Sequence, residues 1–256
     1  MQPRPDPREG VLETLLALDG EAVEIEAHLA RIAASVEVLF ERPLPAEARP
    51  LLLARADGVA RGRLRLTVAP GDGALRCAVS LTPVAEDARF PGWEDGAELR
   101  SLPFPGGLGA HKWADRSPLP DAEGTTPLLL DGDQVLEAAW ANVFCVRGGV
   151  LTTPPADGRI LPGVTRAVAI AAARRAGLEV RERALGRREL LEAEEAFLTA
   201  SVRGVVPVRS LDGVPIGPGE LGAAIADRLR ARWEGGRDAA PDRALAGGTS
   251  PGRRAP

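Results

Sequence analysis

The sequence predicts an α/β (α+β) protein built from a small N-terminal α/β domain and a larger C-terminal domain. Strand-like and helix-like runs alternate up to residue 84, a polar segment follows at 85–96, and a second series of strands and helices begins at Glu98. The 256 residues are 45% hydrophobic and 27% charged, which is enough for one large or two modest cores. We therefore expect domains at 10–86 and 97–235 and a disordered tail at 236–256.

The N-terminal domain is predicted to contain a strand, a hairpin partner, two helices and two further strands. Residues 1–9 are punctuated by prolines and are expected to be loose. A helix begins at Glu26, because apolar residues recur at helical spacing and leave Arg31 and Ser35 together on another face. The other expected elements are strands at Val11 to Leu18, Ala22 to Ile25, Arg63 to Ala69 and Ala74 to Val84, and a helix at 46–58.

The C-terminal domain is predicted to combine short strands with proline-rich loops and three helices. Gly148-Gly149 indicates a hairpin turn, and Gly177 ends a helix. The expected strands are Glu98 to Leu102, Leu128 to Leu130, Asn142 to Val146, Glu179 to Arg183 and Ala196 to Ala200. The expected helices are Val164 to Ala176, Arg188 to Glu194 and Leu221 to Trp233.

Charge and composition argue against several classes of function. The net charge of −4 and the scattered arginines give no basic surface for nucleic acid. Cys77 and Cys145 have no metal-ligand spacing with His28 or His111, so we predict no metal site and two reduced cysteines that pack in the interior. The sequence shows no signal peptide and no membrane-spanning run, and we expect a cytoplasmic protein without membrane contact.

Lys112 is the only lysine of a chain whose other basic residues are arginines and two histidines. A desolvated lysine can lose its proton, attack a carbonyl and hold an aldehyde cofactor, whereas arginine stays protonated. A glycine-rich approach at 106–109 and the neighbouring Trp113 favour a partly buried position. The alternative is a single surface lysine left by an arginine-rich coding bias.

Two further stretches are suited to bind an anion or a cation. Leu161 to Arg166 leads directly into a helix, where backbone N–H groups and the Thr165 hydroxyl favour a phosphate, and Thr199-Ala200-Ser201 could complete such a site. Glu137 is an acid among apolar neighbours, and a buried carboxylate needs a cationic or hydrogen-bonding partner. Each feature also has an ordinary structural explanation: a threonine at a helix start, a turn after a strand, and a structural glutamate.

An amine, a carboxylate and a phosphate site are together the components of a pyridoxal 5'-phosphate (PLP) site. Several motifs resemble, in order and spacing, the signature of the class IV aminotransferase family, which includes branched-chain aminotransferases, D-amino-acid aminotransferases and 4-amino-4-deoxychorismate lyases. The motifs are His28 to Arg31, Glu137 to Phe144, Leu151 to Pro155 and Leu161 to Arg166. The resemblance runs from about Val11 to Trp233. It implies the two-domain PLP fold type IV, whose C-terminal domain is a mixed, β-barrel-like sheet with flanking helices.

The resemblance assigns a role to each matching residue. Lys112 matches the lysine that binds the cofactor as a Schiff base, Glu137 matches the carboxylate that pairs with the pyridine nitrogen, and Arg31 matches a phosphate ligand. Leu161 is expected to pack against the ring. The other phosphate-side residues implied in this way are Val164, Thr165, Ala200 and Ser201.

The N-terminus departs from the family pattern. Members usually carry a leading hairpin before the segment that matches Val11 to Leu18, whereas a short proline-rich piece precedes it here. This shortened form resembles the lyase half of fused para-aminobenzoate synthase polypeptides, and the chain is either a free-standing relative or begins late. The family resemblance also implies a homodimer, and an aminodeoxychorismate synthase component is a candidate partner.

Within the family, the sequence is most similar to the lyases. The chain has no tyrosine, and Ser117 stands where branched-chain enzymes place one. The turn at 70–73 lacks the Arg-x-His pair of D-amino-acid enzymes. Lys112 to Arg116 resembles the lyase pattern of lysine, two spacers, asparagine and arginine, with Asp115 in place of the asparagine, and Leu12-Glu13-Thr14 resembles the lyase segment beside the substrate.

These comparisons favour 4-amino-4-deoxychorismate lyase, which forms para-aminobenzoate and pyruvate for folate precursor synthesis. Lys112 is the expected catalytic base. Thr14, Arg65, Arg116 and Arg203 are the candidate substrate residues. One alternative is an aminotransferase for a branched-chain or D-amino acid, and a second is a non-catalytic relative that keeps the fold for dimerisation.

Overall fold

The computed structural model describes residues 4–120 and 124–235. Its helices are α1 Ile25–Phe40, α2 Ala48–Ala56, α3 Val164–Arg175, α4 Arg187–Leu191 and α5 Glu220–Trp233. Its first strands are β1 Val11–Leu18, β2 Glu21–Ala22, β3 Arg61–Pro70, β4 Leu75–Pro83, β5 Ala97–Pro103, β6 Thr126–Asp131 and β7 Gln134–Ala138. The others are β8 Asn142–Arg147, β9 Val150–Thr153, β10 Val180–Glu182, β11 Leu185–Gly186, β12 Glu195–Ala200, β13 Gly204–Leu211 and β14 Val214–Pro215.

The first four strands form an antiparallel sheet in the order β2-β1-β3-β4. Side chains alternate along β3, so Leu64, Leu66 and Val68 lie in a core beneath helices α1 and α2. Arg63 and Arg65 consequently point to the opposite face of the sheet. This alternation is what turns two arginines of a core strand away from the helices.

The remaining strands form a mixed sheet in the order β10-β9-β8-β12-β13-β5-β6-β7-β11, with β14 added to β13. Alternate residues of β8 belong to two different cores: Val143 lies in one, and Phe144 lies in the other, stacked 5.0 Å from the Phe197 ring. The first core collects residues from every strand from β8 to β11 in this order, and an isolated bridge joins Ala138 of β7 to Ala141 just before β8, so this part of the sheet curls around the core. Helices α3 and α5 cover the second core. The predicted mixed α/β fold is confirmed.

Most predicted elements agree with the structure to within a few residues. The predicted strand at Ala22 to Ile25 is reduced to Glu21–Ala22 because Ile25 begins α1, and the short strands β11 and β14 were not predicted. The N-terminal segment and two longer strands also differ. Residues 4–9 are not loose, because the Arg4 guanidinium donates to the carbonyl oxygens of Gly107 (2.6 Å) and Pro105 (3.1 Å). Strand β7, which carries Glu137, was not predicted. Neither was β13, where Pro207 interrupts a sequence that is otherwise typical of a strand.

Other predictions concern absences and the tail. Cys77 and Cys145 are both free, and Cys145 is buried inside the curled sheet. No helix within residues 4–120 and 124–235 is long and apolar enough to cross a membrane. The predicted disordered tail at 236–256 lies outside the described residues.

Candidate active site

Lys112 lies in the segment that joins β5 to β6, and backbone contacts with the N-terminal sheet hold it there. The Leu12 N–H donates to the Lys112 carbonyl oxygen (2.8 Å), and the Ala114 N–H donates to the Gly10 carbonyl oxygen (3.0 Å). Val11 and Trp113 form an isolated antiparallel bridge between these bonds. The segment that carries Lys112 therefore behaves as a short continuation of the sheet beside β1.

A glycine-rich turn gives this segment its shape. Gly107 has φ +66°, and a Cβ atom there would lie 2.0 Å from the Arg159 carbonyl oxygen, so only glycine fits. The Trp113 indole N–H donates to the Leu108 carbonyl oxygen (2.9 Å) and ties the turn to the residue after Lys112. The close approach of Gly107 to Arg159 and the hydrogen bond from Trp113 to Leu108 therefore fix the backbone before Lys112.

The Lys112 amine has an environment that favours its neutral form. Burial lowers its pKa to about 8, and the positive charges of Arg31 and Arg116 act in the same direction, against Glu13 and Glu137. Near neutral pH a much larger fraction of Lys112 than of an ordinary lysine is therefore uncharged. An uncharged amine is the form that attacks a carbonyl or accepts a proton.

Glu137 lies on β7 with its carboxylate in the same buried space. One oxygen, Oε2, accepts from the Leu161 N–H (3.1 Å) and, at 3.4 Å, from the Asn142 amide. Asn142 also donates to the Leu161 carbonyl oxygen (2.9 Å), so it joins β7 to the loop before α3. Burial raises the pKa of Glu137 to about 8, because these neutral donors do not replace the lost hydration.

The N-terminus of α3 forms the opposite end of the site. Gly163 is its N-cap and provides no side-chain cap, so the first N–H groups of the helix have no side-chain acceptor within residues 4–120 and 124–235. The Thr165 and Ser201 hydroxyls lie 3.3 Å apart beside this helix end. Thr199 also lines the cavity, and its buried hydroxyl has no hydrogen-bond partner among the described residues. These donors are suited to an anion.

Arg31 projects from α1 to this end of the site. Its guanidinium donates to both carboxylate oxygens of Glu13 (2.7 and 2.6 Å) and to the Pro162 carbonyl oxygen (3.0 Å). Glu13 also accepts from His28 Nδ1 (2.7 Å). The N-terminal sheet is thereby connected to the loop that leads into α3.

All eight residues predicted to bind the cofactor line one cavity with about 530 Å³ of empty volume, which includes its open mouth. They are Arg31, Lys112, Glu137, Leu161, Val164, Thr165, Ala200 and Ser201. The lysine and the carboxylate influence each other's pKa values across this space. The structure thus brings together residues that are up to 170 positions apart in the chain.

The four predicted substrate residues line a second, more open cavity of about 940 Å³ that shares Lys112 and Arg116 with the first. Thr14, Arg63 and Arg65 enter it from the sheet face opposite α1, and Arg116 and Arg203 enter from the other side. The Arg203 guanidinium lies 5.2 Å from the centre of the Trp140 ring. No carboxylate belongs to the described residues around this cavity, so it is strongly cationic.

The sequence predicts Thr199 as part of an anion site, and Thr199 lines the inner cavity. It gives no such role to four other residues of these cavities and their supports: Glu13, His28, Arg63 and Asn142. Glu13 carried the signal that identified Glu137, an acid inside an apolar run, but it was considered only as part of a substrate-side segment. Asp115 lines neither cavity; its carboxylate accepts from the backbone N–H groups of Asp6 (2.8 Å) and Ser117 (2.9 Å).

Comparisons with known proteins agree with this geometry. A family model described as amino-transferase class IV matches residues 120–211. The branched-chain-amino-acid aminotransferase of Escherichia coli (strain K12) is 43% identical over 88 residues, which are 34% of this chain and 28% of that protein. The aligned part therefore spans little more than a quarter of that relative.

Two solved structures align over most of the chain. The 4-amino-4-deoxychorismate lyase from Pseudomonas aeruginosa has a TM-score of 0.75 and 28% identity, covering 90% of this chain and 94% of that one. A hypothetical aminotransferase from Mycobacterium tuberculosis, in a PLP-bound form, has a TM-score of 0.75 and 25% identity, covering 88% and 89% of the two chains.

Proposed function

We propose that the chain is a member of the class IV aminotransferase family and, within that family, a PLP-dependent 4-amino-4-deoxychorismate lyase that forms para-aminobenzoate and pyruvate. The single observation that carries the choice of substrate is the cationic cavity beside Lys112, with Arg63, Arg65, Arg116 and Arg203 on its walls. Guanidinium groups pair with carboxylates in a planar, bidentate way, and this substrate carries two carboxylates.

The residues of the inner cavity fit PLP. The buried Thr199 hydroxyl has no partner within the described chain, and the α3 N-terminus lacks a side-chain cap, so a phosphate would satisfy groups that the fold leaves open. Glu137 is a buried carboxylate with a raised pKa, which a cationic ring nitrogen would return to its charged form.

The proposed roles follow from this fit. Lys112 would hold the cofactor aldehyde, Glu137 the ring nitrogen, and Leu161 would pack on the ring. Arg31, Val164, Thr165, Ala200 and Ser201 would hold the phosphate. Bound PLP supplies an electron sink for the electron pair that remains when a substrate C–H bond breaks.

Lys112 is the residue that moves the proton. Lys112 is half-buried, lines both cavities and has a pKa of about 8, so its amine is matched to accept a proton from a substrate carbon and to return it near neutral pH. The arginines of the outer cavity bind the substrate carboxylates and hold the substrate against Lys112. Thr14 and Trp140 border the same space.

An aminotransferase is the second candidate function. The 43% identity to a branched-chain-amino-acid aminotransferase over 88 residues favours it, and 2-oxoglutarate, a dicarboxylate acceptor, also suits a cationic cavity. Against it stand the absence of tyrosine from the chain and the serine at position 117. A cytoplasmic homodimer, an aminodeoxychorismate synthase partner and a place in folate precursor synthesis belong to the lyase proposal.

One assay separates the two functions, because a lyase needs no keto-acid acceptor and a transaminase stops without one. The purified, PLP-loaded protein is given 4-amino-4-deoxychorismate alone, and pyruvate and para-aminobenzoate are measured. In parallel it is given D-alanine or L-leucine with 2-oxoglutarate. We expect sustained pyruvate release in the first assay and little transfer in the second. Acceptor-dependent transfer without para-aminobenzoate would make the protein an aminotransferase.

A further inference from the structure

Glu13 is a buried acid in a strand of otherwise apolar or small residues, and its side chain faces helix α1. Val11, Leu15 and Ala17, at alternate positions of β1, belong to the core under that helix, and Glu13 falls in the same register. Its carboxylate is 1% exposed. An unpartnered carboxylate at this position would be strongly destabilising, so its partners define its role.

Two side chains one turn apart on α1 satisfy this carboxylate. Arg31 donates from Nε to Oε1 (2.7 Å) and from Nη2 to Oε2 (2.6 Å), and His28 Nδ1 lies 2.7 Å from Oε2. Burial lowers the pKa of His28, so its ring is neutral near pH 7 and donates its Nδ1 proton to the carboxylate. The arrangement holds the guanidinium in one plane through a two-point contact.

That contact determines where the rest of Arg31 points. A guanidinium has five N–H groups. Two are used by Glu13, and one Nη1 hydrogen is used by the Pro162 carbonyl oxygen (3.0 Å) at the loop before α3. The two remaining N–H groups belong to an arginine that lines the inner cavity beside the α3 N-terminus.

We propose that Glu13 is a positioning residue for the phosphate of the cofactor: it fixes the Arg31 guanidinium so that the two unused N–H groups are held ready for that phosphate. The inference rests on the proposed binding of PLP. His28 contacts Oε2 of the same carboxylate and so helps to hold Glu13 in place.

A purely structural role for this pair explains less. A buried ion pair stabilises a fold no better than apolar side chains of similar size. If the pair only joined β1 to α1, the Arg31 guanidinium would not need to contact Pro162, which lies in the loop before α3. Arg31 contacts Glu13 on β1 and Pro162 in the loop before α3. Contacts at both ends fix the position of the guanidinium, as a positioning role requires.

The test compares PLP with pyridoxal, which lacks the phosphate. Dissociation constants for both are measured by absorbance titration of the cofactor-free full chain, for wild type, Glu13→Gln, Arg31→Gln and the double variant. We expect Glu13→Gln to lower the ratio of the pyridoxal constant to the PLP constant about tenfold. In the Arg31→Gln background, Glu13→Gln should change that ratio less than twofold.

Glu195→Gln is the matched control, because Glu195 is also a buried carboxylate but accepts from the Gly222 N–H and does not line the inner cavity. It should leave the ratio unchanged. An equal loss of affinity for both aldehydes in Glu13→Gln, or the same effect with and without Arg31, would overturn the inference in favour of a structural role.

Two further measurements keep the test decisive. If Glu13→Gln does not fold, Glu13→Asp replaces it; the shorter side chain keeps the charge but cannot make both contacts, and an unchanged ratio would overturn the inference. If wild type binds neither PLP nor pyridoxal, the proposed function is wrong, and the positioning role of Glu13 is tested separately. Inorganic phosphate then serves as the probe: protection of wild type against heat that is lost in Glu13→Gln supports the positioning role, and equal protection contradicts it.

Discussion

Glu13 and Glu137 are two buried carboxylates on apolar strands, and their pKa values move in opposite directions. Glu13 is 1% exposed, and His28 and Arg31 hold its pKa at about 2 despite burial. Glu137 is 5% exposed, and burial raises its pKa to about 8 because its direct donors are neutral. The difference teaches that burial alone does not identify a ligand-binding acid. Glu13 already has cationic and hydrogen-bonding partners. Glu137 has only neutral direct donors, so it is the acid that we propose to pair with a cationic ligand.

The largest expected effect comes from removing the amine beside Glu137. Lys112→Ala leaves no other lysine in the chain that could replace it. We expect loss of the visible absorbance of bound cofactor, loss of any adduct that borohydride fixes, and a decrease in turnover on the order of 10⁴-fold. Glu13 and its partners should be unaffected, so the fold should persist.

Ser117→Ala is the control for this change, since Ser117 lies exposed near the end of the same segment and should keep both absorbance and activity. A colourless wild-type protein that takes up no added PLP would contradict the proposed cofactor and favour a non-catalytic relative. A coloured, active Lys112→Ala protein would remove the lysine from its role.

The contrast between the two acids also predicts opposite effects of pH on stability. Glu13 ionises more readily in the folded protein than at its ordinary pKa of 4.5, so its stabilising contribution is present above about pH 4.5 and is lost as pH falls to about 2. Glu137 holds its proton longer than an unfolded carboxyl, so without cofactor its contribution is lost as pH rises from about 4.5 to about 8.

Chemical unfolding of cofactor-free wild type, Glu13→Gln and Glu137→Gln measures both effects. The stability advantage of wild type over Glu13→Gln should grow by about 3 kcal/mol between pH 2 and 4.5. Wild type should lose stability relative to Glu137→Gln between pH 4.5 and 8, by an amount of the same order. Parallel pH profiles for the two variants would mean that the two carboxylates have equivalent surroundings.

Site residues could be predicted from the sequence where a local pattern or a family motif points to them. Glu137 and Lys112 were found from their chemical type and neighbours, and Arg31 from its motif. The contact of Asn142 with the Leu161 carbonyl oxygen could not be predicted, because the curl of the ten-stranded sheet decides which loop each strand meets. Arg63 lines the outer cavity together with residues of the other sheet, and no local pattern in the sequence predicts that meeting of the two sheets.

The segment before β1 shows the same limit. Its prolines predict a loose segment, whereas Pro7–Glu9 form a short 3-10 helix and Arg4 binds the glycine-rich turn that precedes Lys112. Composition describes the conformations that a segment can adopt. The contacts that order it come from carbonyl oxygens of a turn 101 and 103 positions away.

The smallest predicted effect applies the same comparison to two buried threonines. The Thr153 hydroxyl donates to the Val143 carbonyl oxygen (2.8 Å), whereas the Thr199 hydroxyl has no partner in the described chain. Thr153→Val should therefore destabilise the cofactor-free protein by about 1 kcal/mol, and Thr199→Val should stabilise it by a similar amount. If the cofactor completes the Thr199 hydrogen bond, Thr199→Val should also weaken PLP binding about fivefold, while Thr153→Val leaves it unchanged.

Thermal unfolding and PLP titration of both variants measure the change in stability and the change in PLP affinity. Unchanged PLP affinity in Thr199→Val would show that its hydroxyl does not face the ligand, and the phosphate end of the site would then rest on Thr165, Ser201 and Arg31.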